Sequence, residues 1–192
     1  IYLVKEILEN QPLAFASDAL SEALKILILK EKEFWFKKHQ GALNLLQTDL
    51  AKLIQYKYDV VNADPYDQLR LRFALNLGHT VGHVFELFMG ESHGEAIKQG
   101  LFFALEWSAY KKYLDVKTLD LIYLKMEEFH FTRKKYPTIS KDHFLNLLKK
   151  DKKVGDHESL YFVFLKDLGE AVVEKVSFSQ VLEEAIRQGL VE

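Results

Sequence analysis

The stretch that decides the fold is Asn76-Leu77-Gly78-His79-Thr80-Val81-Gly82-His83, which is followed closely by His93-Gly94-Glu95. His79 and His83 are four residues apart, so a helix would place both imidazoles on one face, one turn apart. Neutral imidazole is a common metal ligand and the usual general acid or base near neutral pH. Three histidines this close together, with an acidic residue beside the third, predict a functional site. The alternative is a set of satisfied core histidines.

Two glycines sharpen this interpretation. Gly78 and Gly82 each precede a histidine, although a glycine in a helix interior costs about 1 kcal/mol relative to alanine. Two such residues in one short segment indicate a close approach to the backbone, by either a facing helix or a ligand.

The composition limits the class of protein and the kind of site. The 192 residues carry a net charge of −2, with 48% hydrophobic and 28% charged residues, which is typical of a globular protein and gives no sign of a nucleic-acid partner. The chain has no cysteine, so a metal would need histidine and carboxylate ligands. No apolar run approaches the roughly 20 residues of a membrane-spanning helix. We therefore expect no membrane association and a cytoplasmic location.

Hydrophobic periodicity predicts a mostly α-helical fold with one small β-hairpin near 159–176. The hairpin joins an apolar run at 159–165 to a return strand at 170–176, through a turn at Asp167-Leu168-Gly169. A second turn is expected at Asp64-Pro65-Tyr66-Asp67. Helices are predicted over 17–38 (capped by Ser17 or Asp18), 42–60, 67–89, 93–114 (capped by Ser92), 117–130, 140–150 and 178–189.

Several motifs in series resemble one enzyme family. The histidine motif, with Ala96 and Gly100, is similar to the C-terminal, mostly helical domain of 3-dehydroquinate synthase. Three other stretches agree in order with that family: Ser21-Glu22-Ala23-Leu24-Lys25, the segment from Lys57 to Asp64 with its two valines, and Asp151-Lys152-Lys153 before the hairpin and Gly169.

The resemblance implies a division of labour between two domains. Enzymes of the family carry an N-terminal Rossmann-like domain that holds NAD. No glycine-rich strand–loop–helix fingerprint occurs in this sequence, and the chain opens at Ile1 in mid-pattern. We expect residues 1–192 to be a single helical metal- and substrate-binding domain, a fragment from which the NAD-binding domain is absent. Alone, it is expected to be inactive and not to bind NAD tightly.

The resemblance also assigns metal ligands. It implies that Glu22, His79 and His93 hold Zn²⁺ or Co²⁺, leaving coordination positions open for substrate. Spacing alone would make His83 a ligand as well, as the partner of His79. The resemblance instead places His83 beside the metal, where it acts on substrate protons.

The remaining site residues are implied to bind a phosphorylated sugar acid. Arg72 and Asn76 would share a helix face with His79, and Asp67 is the nearest match to a substrate-binding Glu of the family. The register there leaves Gln68 open as an alternative to Asp67, and Arg70 as an alternative to Arg72. Separately, Lys153 is an alternative to Lys152. Because the substrate carries a phosphate and a carboxylate, we expect four cations to converge on one anion pocket around the metal: Lys25, Lys57, Arg72 and Lys152.

The implied reaction converts 3-deoxy-arabino-heptulosonate 7-phosphate to 3-dehydroquinate with loss of phosphate, in an enzyme whose full-length form is expected to be a homodimer. NAD accepts a hydride and returns it, so the class is lyase. Three alternatives remain open from the sequence. They are a related sugar-phosphate cyclase making an inosose or valiolone, an alcohol dehydrogenase of the glycerol dehydrogenase type, and a non-enzymatic helical interaction module.

Overall fold

The structure, a computed structural model, describes residues 13–30, 32–36, 42–66, 68, 71–150, 154–156 and 158–192. Within these ranges the α-helices are α1 (Leu13–Lys30), α2 (Ala42–Ala63), α3 (His79–Met89), α4 (His93–Tyr110), α5 (Val116–Glu128), α6 (Lys141–Lys150) and α7 (Phe178–Arg187). Two 3₁₀ helices cover Lys32–Phe36 and Leu71–Asn76, and the strands are β1 (Val154–Asp156), β2 (Ser159–Asp167) and β3 (Glu170–Ser177). The expectation of a mostly helical fold with a small hairpin is confirmed. None of the described helices is both long and apolar enough to cross a membrane.

The predicted continuous helix over 67–89 is wrong. A 3₁₀ helix ends at Asn76, Gly78 then adopts a φ of +80°, and α3 begins only at His79. A φ in this left-handed region suits glycine because it has no Cβ, so Gly78 ends one helical segment and starts the next. Arg72 therefore does not share a helix face with His79 as predicted, since the two lie in different segments.

The first helix also differs from the predicted range of 17–38. It begins before both predicted caps and ends at Lys30, where a separate 3₁₀ helix takes over. Ser17 and Asp18 thus lie inside α1 and do not cap it. The Asp18 carboxylate instead accepts a hydrogen bond of 2.7 Å from the Ser92 hydroxyl, which links α1 to the start of α4. Ser92 caps α4 as predicted.

Glycines allow α3 and α4 to pack closely and antiparallel. A Cβ on Gly82 would lie 2.9 Å from the Ile97 side chain, and a Cβ on Gly100 would overlap the backbone of Gly78. The expected close approach is therefore confirmed, and the partner at these positions is a facing helix. The packing holds the His79 end of α3 beside α4, the helix that begins at His93.

The hairpin forms one layer against α4. β2 and β3 pair antiparallel with Val163 opposite Val173, and the turn between them contains Gly169 at a φ of +82°. The short strand β1, which the sequence did not predict, pairs with β2 along its other edge. Three aromatic rings pack between α4 and the hairpin. The ring centroid of Trp107 on α4 lies 4.6 Å from that of Phe162 and 5.0 Å from that of Phe164, both on β2.

Candidate metal and substrate site

Three potential metal ligands from three helices meet at one point. Glu22 lies on α1, His79 is the first residue of α3, and His93 is the first residue of α4. One ligand atom from each lies within 4.8 Å of the other two. The Glu22 Oε1 atom is 3.4 Å from His79 Nε2 and 4.0 Å from His93 Nε2. The fold therefore brings together the three residues that the resemblance implies as ligands.

The donor set fits a cation. His79 Nδ1 lies 3.3 Å from the Leu77 carbonyl oxygen, and His93 Nδ1 lies 3.3 Å from Glu86 Oε2. Where Nδ1 donates to these oxygens in a neutral imidazole, Nε2 keeps a lone pair that can bind a metal. The Glu22 Oε1 atom is itself buried and accepts no hydrogen bond. A buried carboxylate oxygen that faces two imidazole Nε2 atoms matches a metal-binding arrangement.

The ionisation states also suit metal binding. Burial disfavours the charged form of Glu22, but the neighbouring His79 ring and the Lys25 ammonium outweigh burial and lower the pKa of Glu22 to about 2. Burial likewise lowers the pKa of His79 below its usual value, although Glu22 opposes this effect. At neutral pH the carboxylate is therefore charged and the imidazole neutral, which are the forms that bind metals.

His83 lies next to this trio. Its ring centroid is 5.7 Å from that of His79 and 6.4 Å from that of His93. The residue is half-buried on α3, one turn beyond His79. The group that meets at one point consists of Glu22, His79 and His93. His83 therefore lies beside the trio, and its action on substrate protons stays a prediction.

The predicted cations occupy different environments. Lys25 is 3% exposed, and its ammonium lies 2.8 Å from Glu22 Oε2, so it neutralises the carboxylate of the trio. Arg72 is exposed on the second 3₁₀ helix, whose last residue, Asn76, is half-buried. Lys57 is exposed on α2. Their convergence on a common anion stays a prediction.

Some predicted site residues lie outside the part of the chain that the structure describes. These are Asp67, Lys152 and the alternatives Arg70 and Lys153. The turn that precedes Asp67 is present at Asp64 to Tyr66 as predicted. Their assignments remain predictions.

Sequence reasoning missed Glu86, whose carboxylate contacts His93. Glu86 follows His83 by three residues and His79 by seven, so all three lie on one face of α3. That spacing was available in the sequence and could have revealed the residue. The Leu77 carbonyl, by contrast, carries no sequence signal.

The sequence matches the family model described as 3-dehydroquinate synthase C-terminal over residues 19–154. The chain belongs to this family. A 3-dehydroquinate synthase from Coxiella burnetii (strain Dugway 5J108-111) is 30% identical over 184 residues, which cover 88% of this chain and 50% of that protein. The chain thus spans about half the length of the curated relatives it matches.

Solved structures share the fold of this chain. One is 2-deoxy-scyllo-inosose synthase complexed with carbaglucose-6-phosphate, NAD+ and Co2+, with a TM-score of 0.76 and 20% identity, over 95% of this chain and 55% of the other. Another is 2-epi-5-epi-valiolone synthase from Streptomyces hygroscopicus subsp. jinggangensis 5008 with NAD+ and Zn2+ bound, with a TM-score of 0.74 and 18% identity, over 95% of this chain and 53% of the other.

Proposed function

We propose that this chain is the metal- and substrate-binding half of a 3-dehydroquinate synthase. In this proposal the full-length enzyme is a cytoplasmic homodimer of the shikimate pathway. It is a phosphorus–oxygen lyase that converts 3-deoxy-arabino-heptulosonate 7-phosphate to 3-dehydroquinate and phosphate. NAD is held mainly by an N-terminal domain. The observation that carries the proposal is the convergence of Glu22, His79 and His93 in a chain of this family.

The chain's own residues divide the work at the site. Glu22, His79 and His93 would hold Zn²⁺ or Co²⁺, and a bound cation supplies Lewis acidity at a substrate oxygen. Lys25 holds the second carboxylate oxygen of Glu22 at 2.8 Å and keeps that ligand ionised. His83, beside the two ligand histidines, is placed to exchange a proton with substrate.

The proposal also assigns substrate binding to five polar residues outside the trio. Asn76 and Arg72 precede the site in sequence, and Asp67, Lys57 and Lys152 complete the set. A phosphate and a carboxylate each favour a charge-assisted hydrogen bond from a cation. Removing a cation that contacts substrate should raise KM for the sugar phosphate.

Equilibrium dialysis of the full chain tests the metal site. We expect one Zn²⁺ per chain, and we expect His79→Ala to lose it because one of three protein ligands is removed. His143→Ala is the matched control, since His143 lies on α6 against the ring of Phe88 and should keep the metal. Full stoichiometric metal in His79→Ala, or no metal in the wild-type chain, contradicts the proposal. The second result would favour a helical interaction module.

A second test separates His83 from the ligands. In the full-length enzyme, His83→Ala should retain its metal and lose turnover. A loss of metal as large as that of His79→Ala would make His83 a ligand instead.

Calorimetry tests where NAD binds. Micromolar NAD binding to the isolated chain would contradict the assignment of NAD to a separate domain.

The second candidate is a related sugar-phosphate cyclase. It is favoured by the shared fold with inosose and valiolone synthases. Assaying the full-length enzyme with 3-deoxy-arabino-heptulosonate 7-phosphate and with other phosphorylated sugars distinguishes the two. Turnover of the heptulosonate alone supports the first candidate, and turnover of another phosphorylated sugar in its place supports the second.

A further inference from the structure

The two ligand histidines are held in different ways. His79 has 13% of its side chain exposed, and its Nδ1 faces a backbone carbonyl, so burial and the backbone fix its ring. His93 has 47% of its side chain exposed, so burial restrains its ring far less. The protein group at His93 Nδ1 is the Glu86 carboxylate, at 3.3 Å.

That contact has a geometric consequence. Because Glu86 lies on α3 and His93 begins α4, the pair bridges the two helices across the loop that joins them. In a neutral imidazole whose Nδ1 donates to Glu86, the opposite ring nitrogen carries no proton. That nitrogen, Nε2, is the atom 4.0 Å from Glu22 Oε1. A proton on Nε2 would remove the lone pair that a metal needs.

We propose that Glu86 is a positioning residue for the metal site. It accepts the Nδ1–H of His93, holds the ring in one orientation and keeps Nε2 free to bind the ion. The inference rests on the proposed metal site and deepens it. A hydrogen-bonded partner of a ligand histidine contributes to metal affinity without touching the metal.

Two variants separate orientation from charge. Glu86→Ala removes both the acceptor and the negative charge, whereas Glu86→Gln removes the charge but keeps a carbonyl acceptor. In chelator competition for Zn²⁺, Glu86→Ala should lose roughly 10–100-fold in affinity, and Glu86→Gln should stay closer to the wild type than to that variant. Equal losses in both variants would show that charge alone acts and would overturn the positioning role. Unchanged affinity in Glu86→Ala would also overturn it.

A metal-free measurement gives an independent readout. Nitrogen-15 NMR of the imidazoles, recorded on the metal-free chain, should show His93 protonated on Nδ1 in the wild type. This tautomer should persist in Glu86→Gln and be lost in Glu86→Ala. If Glu86 only stabilised the fold, the two variants would not differ in the His93 tautomer. A wild-type His93 protonated on Nε2 overturns the inference. Failure of the wild-type chain to bind Zn²⁺ would instead contradict the proposed function, so the two failures are distinguishable.

Discussion

Replacing Gly100 with alanine should destabilise the chain, although alanine is the better helix former. A Cβ at this position would overlap the Gly78 carbonyl group and lie 2.7 Å from the Gly82 backbone nitrogen. Both neighbours are backbone atoms, one just before α3 and one within it. No side-chain rotation can therefore make room for the added Cβ. The two helices must move apart, and α3 carries His79 while α4 carries His93.

The magnitude follows from two opposing effects. Replacing glycine with alanine inside a helix usually stabilises by about 1 kcal/mol. Overpacking a close contact costs about 1–3 kcal/mol and sometimes more. Because the clash is with backbone, we place the cost at the upper end, which leaves a net loss of about 2 kcal/mol. For a chain of this length that loss lowers Tm by about 4–8 °C.

Thermal and urea unfolding of Gly100→Ala measure the loss, with Gly82→Ala as the matched control. In the control the closest contact is the end of the flexible Ile97 side chain at 2.9 Å, and the nearest backbone atom is 3.2 Å away. The control should therefore lose less stability. Gly100→Ala should also bind Zn²⁺ more weakly, because the ligands on the two helices are displaced. A Gly100→Ala chain as stable as the wild type would refute the reasoning about the helix interface.

Three further predictions concern other contacts. Ser92→Ala should cost about 0.5–2 kcal/mol in urea unfolding, since it removes the cap of α4 and the link to Asp18, and an unchanged midpoint would contradict this. Phe144→Ala should cost about 3–5 kcal/mol because the ring is fully buried, and a loss below about 1 kcal/mol would place it outside the core. Burial would raise the pKa of Glu174, but the Lys111 ammonium and a tyrosine hydroxyl outweigh it and lower the pKa below 4.5. The stability from this carboxylate is fully present above pH 4.5 and is lost as the pH falls through the lowered folded-state pKa. Glu174→Gln should therefore be less stable by about 0–1 kcal/mol at pH 7 and match the wild type in strong acid, as urea unfolding across pH will show.

The sequence predicted those parts of the fold that local signals determine. An apolar, aromatic-rich run and the turn at Gly169 predicted the hairpin, and Ser92 predicted the start of α4. Local signals failed where a backbone conformation or a distant contact decides the outcome. The helical periodicity of the sequence continues across Gly78 without a break. The positive φ of Gly78 nevertheless divides the segment into a 3₁₀ helix and α3. The strand β1 is three residues long, too short to show alternation.

The same distinction applies to the candidate site. His79 and His93 stand out because three imidazoles within one short segment need an explanation. Glu22 has no such signal, since an acidic residue on a helix is usually solvated. Its special character is the burial of Oε1 without a hydrogen bond, a property of the folded chain, in which α1 packs against α4. Resemblance to a family supplied the residue that local chemistry could not.

Burying a carboxylate oxygen without a partner is costly, so the contacts around Glu22 need a physical reason. Lys25 stabilises the charge through the other oxygen, but it leaves Oε1 facing the Nε2 atoms of His79 and His93. A cation among these atoms, which lie within 4.8 Å of one another, would give Oε1 the partner that it lacks. Metal binding should therefore stabilise the whole chain. Zn²⁺ at 100 times its Kd should raise the unfolding free energy by about 2.7 kcal/mol, whereas His79→Ala should show no such gain. A wild-type chain whose stability does not change with added metal would show that the three ligands are held together for another reason.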